Sequence, residues 1–140
     1  MRAVEQVEVA AGSGIVDDRY FGSRHRHVSV QSTADLVEAE QVSGLEIAAG
    51  DTRRNVTVSG GPLPTDPGSR LRIGEVELEV VRIAAPCRVM DETIAPGARA
   101  ALRRRGGVIC RALSDGPIAI DDVAVAEEGQ AASGTVAAKR

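Results

Sequence analysis

The chain has 140 residues, 43% of them hydrophobic, with 17 basic against 20 acidic residues and a formal net charge of -3. That is the size of one ordinary domain with a core of its own, and the near balance of charge leaves no strong field to gather nucleic acid. One Phe, one Tyr and no Trp exclude an aromatic platform for single strands, and the absence of a leader-like start or a long apolar run excludes a membrane span and points to a cytoplasmic protein.

In chain order, Val7-Glu8-Val9 alternates and predicts a strand. Residues 11–24 form a polar, Gly-punctuated loop. Residues 26–31 alternate again, with Val28 and Val30 on one face. Ser32 caps a short helix, with Asp35 as its capping-box-like partner, Leu36, Val37 and Ala39 as its apolar stripe and Gly44 as its end. Residues 54–58 predict a strand, and 62–68 a rigid Pro-rich connection. Leu71 and Ile73, the turn Gly74-Glu75 and residues 76–83 predict a hairpin whose second strand is the longest. Pro96 starts a second helix that reaches Arg103-Arg104-Arg105 before Gly106-Gly107, the arginines suiting its negative C-terminus. Residues 108–113 predict a strand, Asp115-Gly116 a hairpin turn and 118–125 the last strand. The expectation is a mainly β chain: an antiparallel β-barrel of about seven strands with two or three short helices. Residues 1–126 make a single domain and 127–140 a flexible tail. Closure into a barrel removes exposed strand edges.

Sixteen of the basic residues are Arg and one is Lys139. A guanidinium is a rigid fork for phosphate and carboxylate, and it serves equally as solvated surface. Two cysteines do not make a disulfide framework. Cys110 lies mid-strand and reads as a small core hydrophobe. Cys87 lies in the loop Ala85-Pro86-Cys87-Arg88, where the guanidinium of Arg88 favours thiolate. A functional and a structural Cys87 are both open on residue chemistry alone, because no CxxC or HxxxH supplies partners at metal-site spacing. His25 and His27 read either as proton donors near neutral pH or as exposed strand-edge residues. Arg53-Arg54-Asn55 opens a strand with groups that can hold a phosphate or a heterocycle edge, or that protect an edge by charge. The Gly-rich pieces fit neither a P-loop nor a dinucleotide fingerprint.

Several pieces also stand in a specific order. They are Gly14-Ile15-Val16-Asp17-Asp18-Arg19-Tyr20-Phe21-Gly22, Arg26-His27-Val28-Ser29-Val30, Arg53-Arg54-Asn55-Val56-Thr57-Val58-Ser59-Gly60 and Leu71-Arg72-Ile73-Gly74. Pro86-Cys87, Gly106-Gly107 and Asp115-Gly116-Pro117-Ile118 with Asp122-Val123 follow. Over residues 5–126 the chain resembles the MOSC domain of molybdenum cofactor sulfurases, stand-alone bacterial proteins and the amidoxime-reducing component. The resemblance implies a β-barrel that binds molybdenum cofactor (Mo-molybdopterin), with Cys87 as the metal ligand, a soft thiolate. Arg53 and Asn55 match the Arg-x-Asn stretch that reaches the cofactor, and Arg26, His27 and Arg88 join them around the pocket, with His27 or Asp17 delivering protons.

The implied activity is reduction of N-hydroxylated or N-oxide small molecules, with electrons from an external reductase. The alternative is a non-catalytic carrier that hands cofactor or persulfide sulfur to a receiving enzyme. A homodimer mate is a further expected partner. Three departures stand out. The amidoxime-reducing component carries a pterin-holding module ahead of its barrel where this sequence is read as opening on the barrel, Asp121 stands where the family usually has Gly, and Arg19-Tyr20 stand where many members place a His. Pyridoxal phosphate chemistry is not expected, because its Schiff base needs a lysine and only Lys139 is present.

Overall fold

The structure is a computed structural model that describes residues 3–48, 52, 54–59, 63–84, 91, 94–103, 105–120, 122, 124–126, 131–132 and 136–139. The chain opens with β1 (Ala3–Val4) and β2 (Gln6–Ala10). Val7 and Val9 of β2 are buried and Gln6 and Glu8 exposed, as the alternation predicts. After a tight turn, β3 (Gly14–Ile15) folds back on β2. The polar loop then leads into β4 (Val28–Ser32), which is buried along its whole length.

Helix α1 (Thr33–Ser43) starts and stops where its sequence signals stand. The Ser32 hydroxyl accepts a hydrogen bond from the Asp35 N–H at 3.2 Å, and Gly44, at φ 74°, closes the helix by donating its N–H to the Glu40 carbonyl. Its buried stripe is Leu36 and Ala39, whereas Val37 is 48% exposed. β5 (Val56–Val58) follows, then β6 (Arg70–Ile73) and β7 (Val76–Ile83), paired as the expected hairpin. The second helix, α2 (Ala98–Ala101), is one turn, shorter than expected. The Arg105 guanidinium still reaches back to the Ala101 carbonyl at 3.3 Å, the C-terminal contact its charge favours. The chain continues through β8 (Val108–Ala112), β9 (Gly116–Ala119), β10 (Ala124–Ala126), β11 (Ala131–Ala132) and β12 (Val136–Lys139).

Nine strands form one sheet in the order β1-β12-β5-β4-β8-β7-β6-β10-β11, and β3-β2-β9 form a second. Its middle six strands, from β5 to β10, wrap as a nearly closed barrel. Val7, Val9, Ile15 and Ile118 of the small sheet share one core with Val28, Val30, Val56, Leu71, Leu78 and Val108 of the large one. That core is almost wholly aliphatic, and each such side chain removed from water contributes roughly 1.5–3 kcal/mol. A second cluster, Leu36, Ala39, Ile47, Ala98, Ala101 and Leu102, joins the two helices.

Two expectations are corrected. β4 and β5 pair in parallel, because the connection through α1 is long enough to return the chain in the same direction. Asp115-Gly116 is not a hairpin turn: β8 pairs with β4 and β7, β9 with β2. The Asp115 carboxylate accepts from the Ala11 N–H at 2.7 Å and the Ser114 hydroxyl from the Glu77 N–H at 2.9 Å, so other strands hold this corner. Within residues 127–140, β11 pairs with β10, and β12 lies between β1 and β5. Among the described residues, no helix is long and apolar enough to cross a membrane.

Candidate functional site

The parallel register sets Val30 beside Val56 and Gln31 beside Thr57. Alternate residues of both strands therefore share a face. Val28, Val30, Val56 and Val58 enter the core, and Ser29, Gln31, Asn55 and Thr57 belong to the other face. That face is also buried, which forces its polar groups to satisfy one another. The Asn55 carboxamide oxygen accepts from the Ser29 N–H and the Ser29 hydroxyl, both at 2.9 Å, while the Asn55 N–H donates to the Ser29 hydroxyl at 2.8 Å. Further along, the Gln31 amide donates to the Thr57 hydroxyl at 2.8 Å and accepts from the Thr52 hydroxyl at 2.6 Å.

The 16–27 loop closes one end of this layer. Asp17 is exposed, in a left-handed conformation at φ 69°, a region Asp tolerates better than most residues. Asp18 is buried. Its carboxylate accepts from the Asn55 side-chain amide at 3.2 Å and from the Tyr20 N–H at 3.0 Å. His27 is 1% exposed, with both ring nitrogens bonded to main chain. Nδ1 accepts from the Ala112 N–H at 2.9 Å, and Nε2 lies 2.6 Å from the Ser23 carbonyl. Those partners place the ring proton on Nε2, and the imidazole ties the loop to β8. The reading of His27 as an exposed strand-edge residue does not hold in this buried environment. The Arg26 guanidinium lies 4.2 Å from the centre of the Tyr20 ring, a contact worth about 0.5–1 kcal/mol where exposed.

The far end of the layer meets the exit of β7. The Ala84 N–H donates to the Gly107 carbonyl at 2.8 Å, and buried Arg54 donates from Nε to the Gly106 carbonyl at 2.7 Å. Gly107 adopts φ 93° against the Val30 carbonyl, where a Cβ would overlap that oxygen. Only glycine fits there, and that close approach brings β7, β8 and the polar face together. Cys87 and Arg88, which follow Ala84 in the chain, lie outside the described residues, as does Arg53.

The structure thus brings Asn55, His27 and Arg26 onto one loop-and-strand unit. Sequence reading missed Asp18, Ser29, Gln31 and Thr57 as members of it. Their signal was the matched alternation of Val with polar residues in two strands, a pattern that ordinarily marks a solvent face. Burial pushes the thiol of Cys110 up to about 12, which makes it the inert core residue expected. Among the described residues, no group of three or more His, Cys, Asp or Glu could hold a metal ion.

The MOSC domain profile matches residues 17–125. This chain belongs to the MOSC domain family. The family is associated with molybdenum cofactor binding or sulfur transfer. No curated protein matches the chain. Among solved structures, YuaD from Bacillus subtilis is similar at a TM-score of 0.73 and 18% identity, over 98% of this chain and 87% of that one. YiiM from Escherichia coli aligns at a TM-score of 0.64 and 14% identity, over 98% and 64%. YiiM from Geobacillus stearothermophilus aligns at 0.57 and 20%, over 82% and 55%. The MOSC chain described here therefore spans about 55–64% of the YiiM chains' length. At these identities the likeness establishes the fold.

Proposed function

We propose that this MOSC domain binds molybdenum cofactor and reduces N-hydroxylated or N-oxide compounds, with Cys87 as the protein's ligand to molybdenum. Beyond the family itself, one observation supports the reading. The buried polar face that carries Asn55 adjoins the point where the chain leaves β7 for the Cys87 loop, through Gly106, Gly107 and Arg54. A pterin and its phosphate ask for amide and guanidinium groups, and the stretch Arg53-Arg54-Asn55 carries groups of those kinds. A soft metal asks for a thiolate, and with Cys110 buried and protonated that role falls to Cys87.

When bound, the cofactor supplies two-electron redox chemistry. Arg53, Arg88, Arg26 and Asn55 would hold it, the Asn55 amide being oriented by Ser29 and Asp18. Two electrons from an external donor and two protons convert N–OH to N–H and water. His27 or Asp17 would deliver the protons, Asp17 lying at the exposed side of the loop.

The test is expression in cells that make the cofactor, followed by measurement of bound molybdenum and of reduction of an N-hydroxylated base. The wild type is expected to carry molybdenum and turn over, and Cys87→Ser to lose both. Bound metal or a Cys87 persulfide without turnover would favour the carrier. A wild type that binds no molybdenum and has an inert Cys87 would sink both readings.

A further inference from the structure

The 16–27 loop has two sides. Inward it sends Asp18 to Asn55 and His27 to Ala112. Outward it presents Arg19, Phe21, Arg24 and His25, all exposed, with Phe21 at 49%. The chain's one Phe and one Tyr both sit on this loop, in a protein whose core uses neither. Residues 19–27 hold three arginines, two histidines and no acidic residue, in a chain of net charge -3. Counting Asp17 and the buried Asp18, the loop keeps an excess of positive charge.

This outer face is fixed by the loop's own bonds. The Phe21 N–H donates to the Asp18 carbonyl at 3.0 Å, the Gly22 N–H to the Ser13 carbonyl at 2.9 Å and the Ser23 N–H to the Tyr20 carbonyl at 2.9 Å. Little ordering is then lost when something docks. Arg26 covers the Tyr20 ring, which leaves Phe21 as a single open ring. One ring is not a base-stacking platform. An apolar anchor rimmed by guanidinium groups instead complements an acidic protein surface.

We infer that the outer face of this loop is the docking surface for an acidic electron-carrier protein serving the site on the loop's inner side. The inference rests on the reductase reading above. A flavodoxin, a small acidic flavin carrier, is the probe. Its binding to the full chain is measured by calorimetry at about 50 mM and about 300 mM salt, below and above physiological screening. Wild-type binding is expected to weaken with salt. Arg19→Gln/Arg24→Gln and Phe21→Ser should each bind at least about tenfold more weakly, and Arg99→Gln/Arg103→Gln, on and beside α2, as the wild type does. Thermal melts check that the loop variants fold.

Equal binding by the loop variants, no binding by the wild type at low salt, or tighter binding of a twelve-nucleotide oligothymidine than of flavodoxin would each overturn the inference. Binding is read without turnover, in Cys87→Ser as well as in the wild type, so the surface can stand if the reductase reading fails. Conversely, loop variants that bind flavodoxin normally while turning over with reduced methyl viologen sink the surface alone.

Discussion

At the scale of single residues, burial decides what the thiol of Cys110 can do. Cys110 sits mid-strand with no exposed surface, and desolvation lifts its thiol from 9.0 to about 12. The folded chain therefore keeps a proton that the unfolded chain releases above pH 9. Stability should be insensitive to this group below pH 9 and should fall as pH rises from 9 towards 12. Denaturant titrations across that range check it: Cys110→Ala should remove that part of the alkaline slope, and an unchanged slope would show that other groups cause it. Native-state alkylation should accordingly reach Cys87 before Cys110. His27 and Asn55 teach a related lesson. Residue chemistry marks both as capable groups, but cannot tell that the His27 ring bridges Ser23 and Ala112, or that Asn55 locks Ser29 to Asp18.

At the scale of elements, local signals were legible wherever the chain answers to its own neighbours in sequence. Ser32 and Gly44 bound α1 because a cap involves groups within a turn of each other. The Gly74-Glu75 hairpin follows for the same reason. Gly106-Gly107 is different. It reads from sequence as a helix stop, yet the constraint on Gly107 comes from the Val30 carbonyl across the sheet. Gly107→Ala combines that overlap with a positive φ, and should destabilise the protein by about 2–4 kcal/mol. A chemical denaturation midpoint within error of the wild type would show that β4 and β8 can separate to admit a methyl group.

At the scale of the whole molecule, the partition into two sheets and the fate of residues 127–140 depend on edges. β12 covers β5, whose Val56 and Val58 are fully buried. Truncation after residue 126 removes that pairing and bares a hydrophobic strand edge. The truncated protein is expected to lose more than about 2 kcal/mol and to self-associate, measured by thermal denaturation and sedimentation. An unchanged melt would mean that residues 127–140 contribute nothing to the fold.

The sequence by itself determined the β-rich class, the helix caps, the β6–β7 hairpin and the core role of Cys110. It also carried the ordered motifs of the MOSC family. Each of these depends on composition, on short-range periodicity or on residues close in the chain. Only the tertiary structure decided that β4 and β5 run parallel, that β9 leaves β8 for β2, and that the polar face of β4 and β5 is buried. Those outcomes depend on which strands meet across long sequence separations, and alternation alone cannot say whether water or another layer of the protein lies on the polar side.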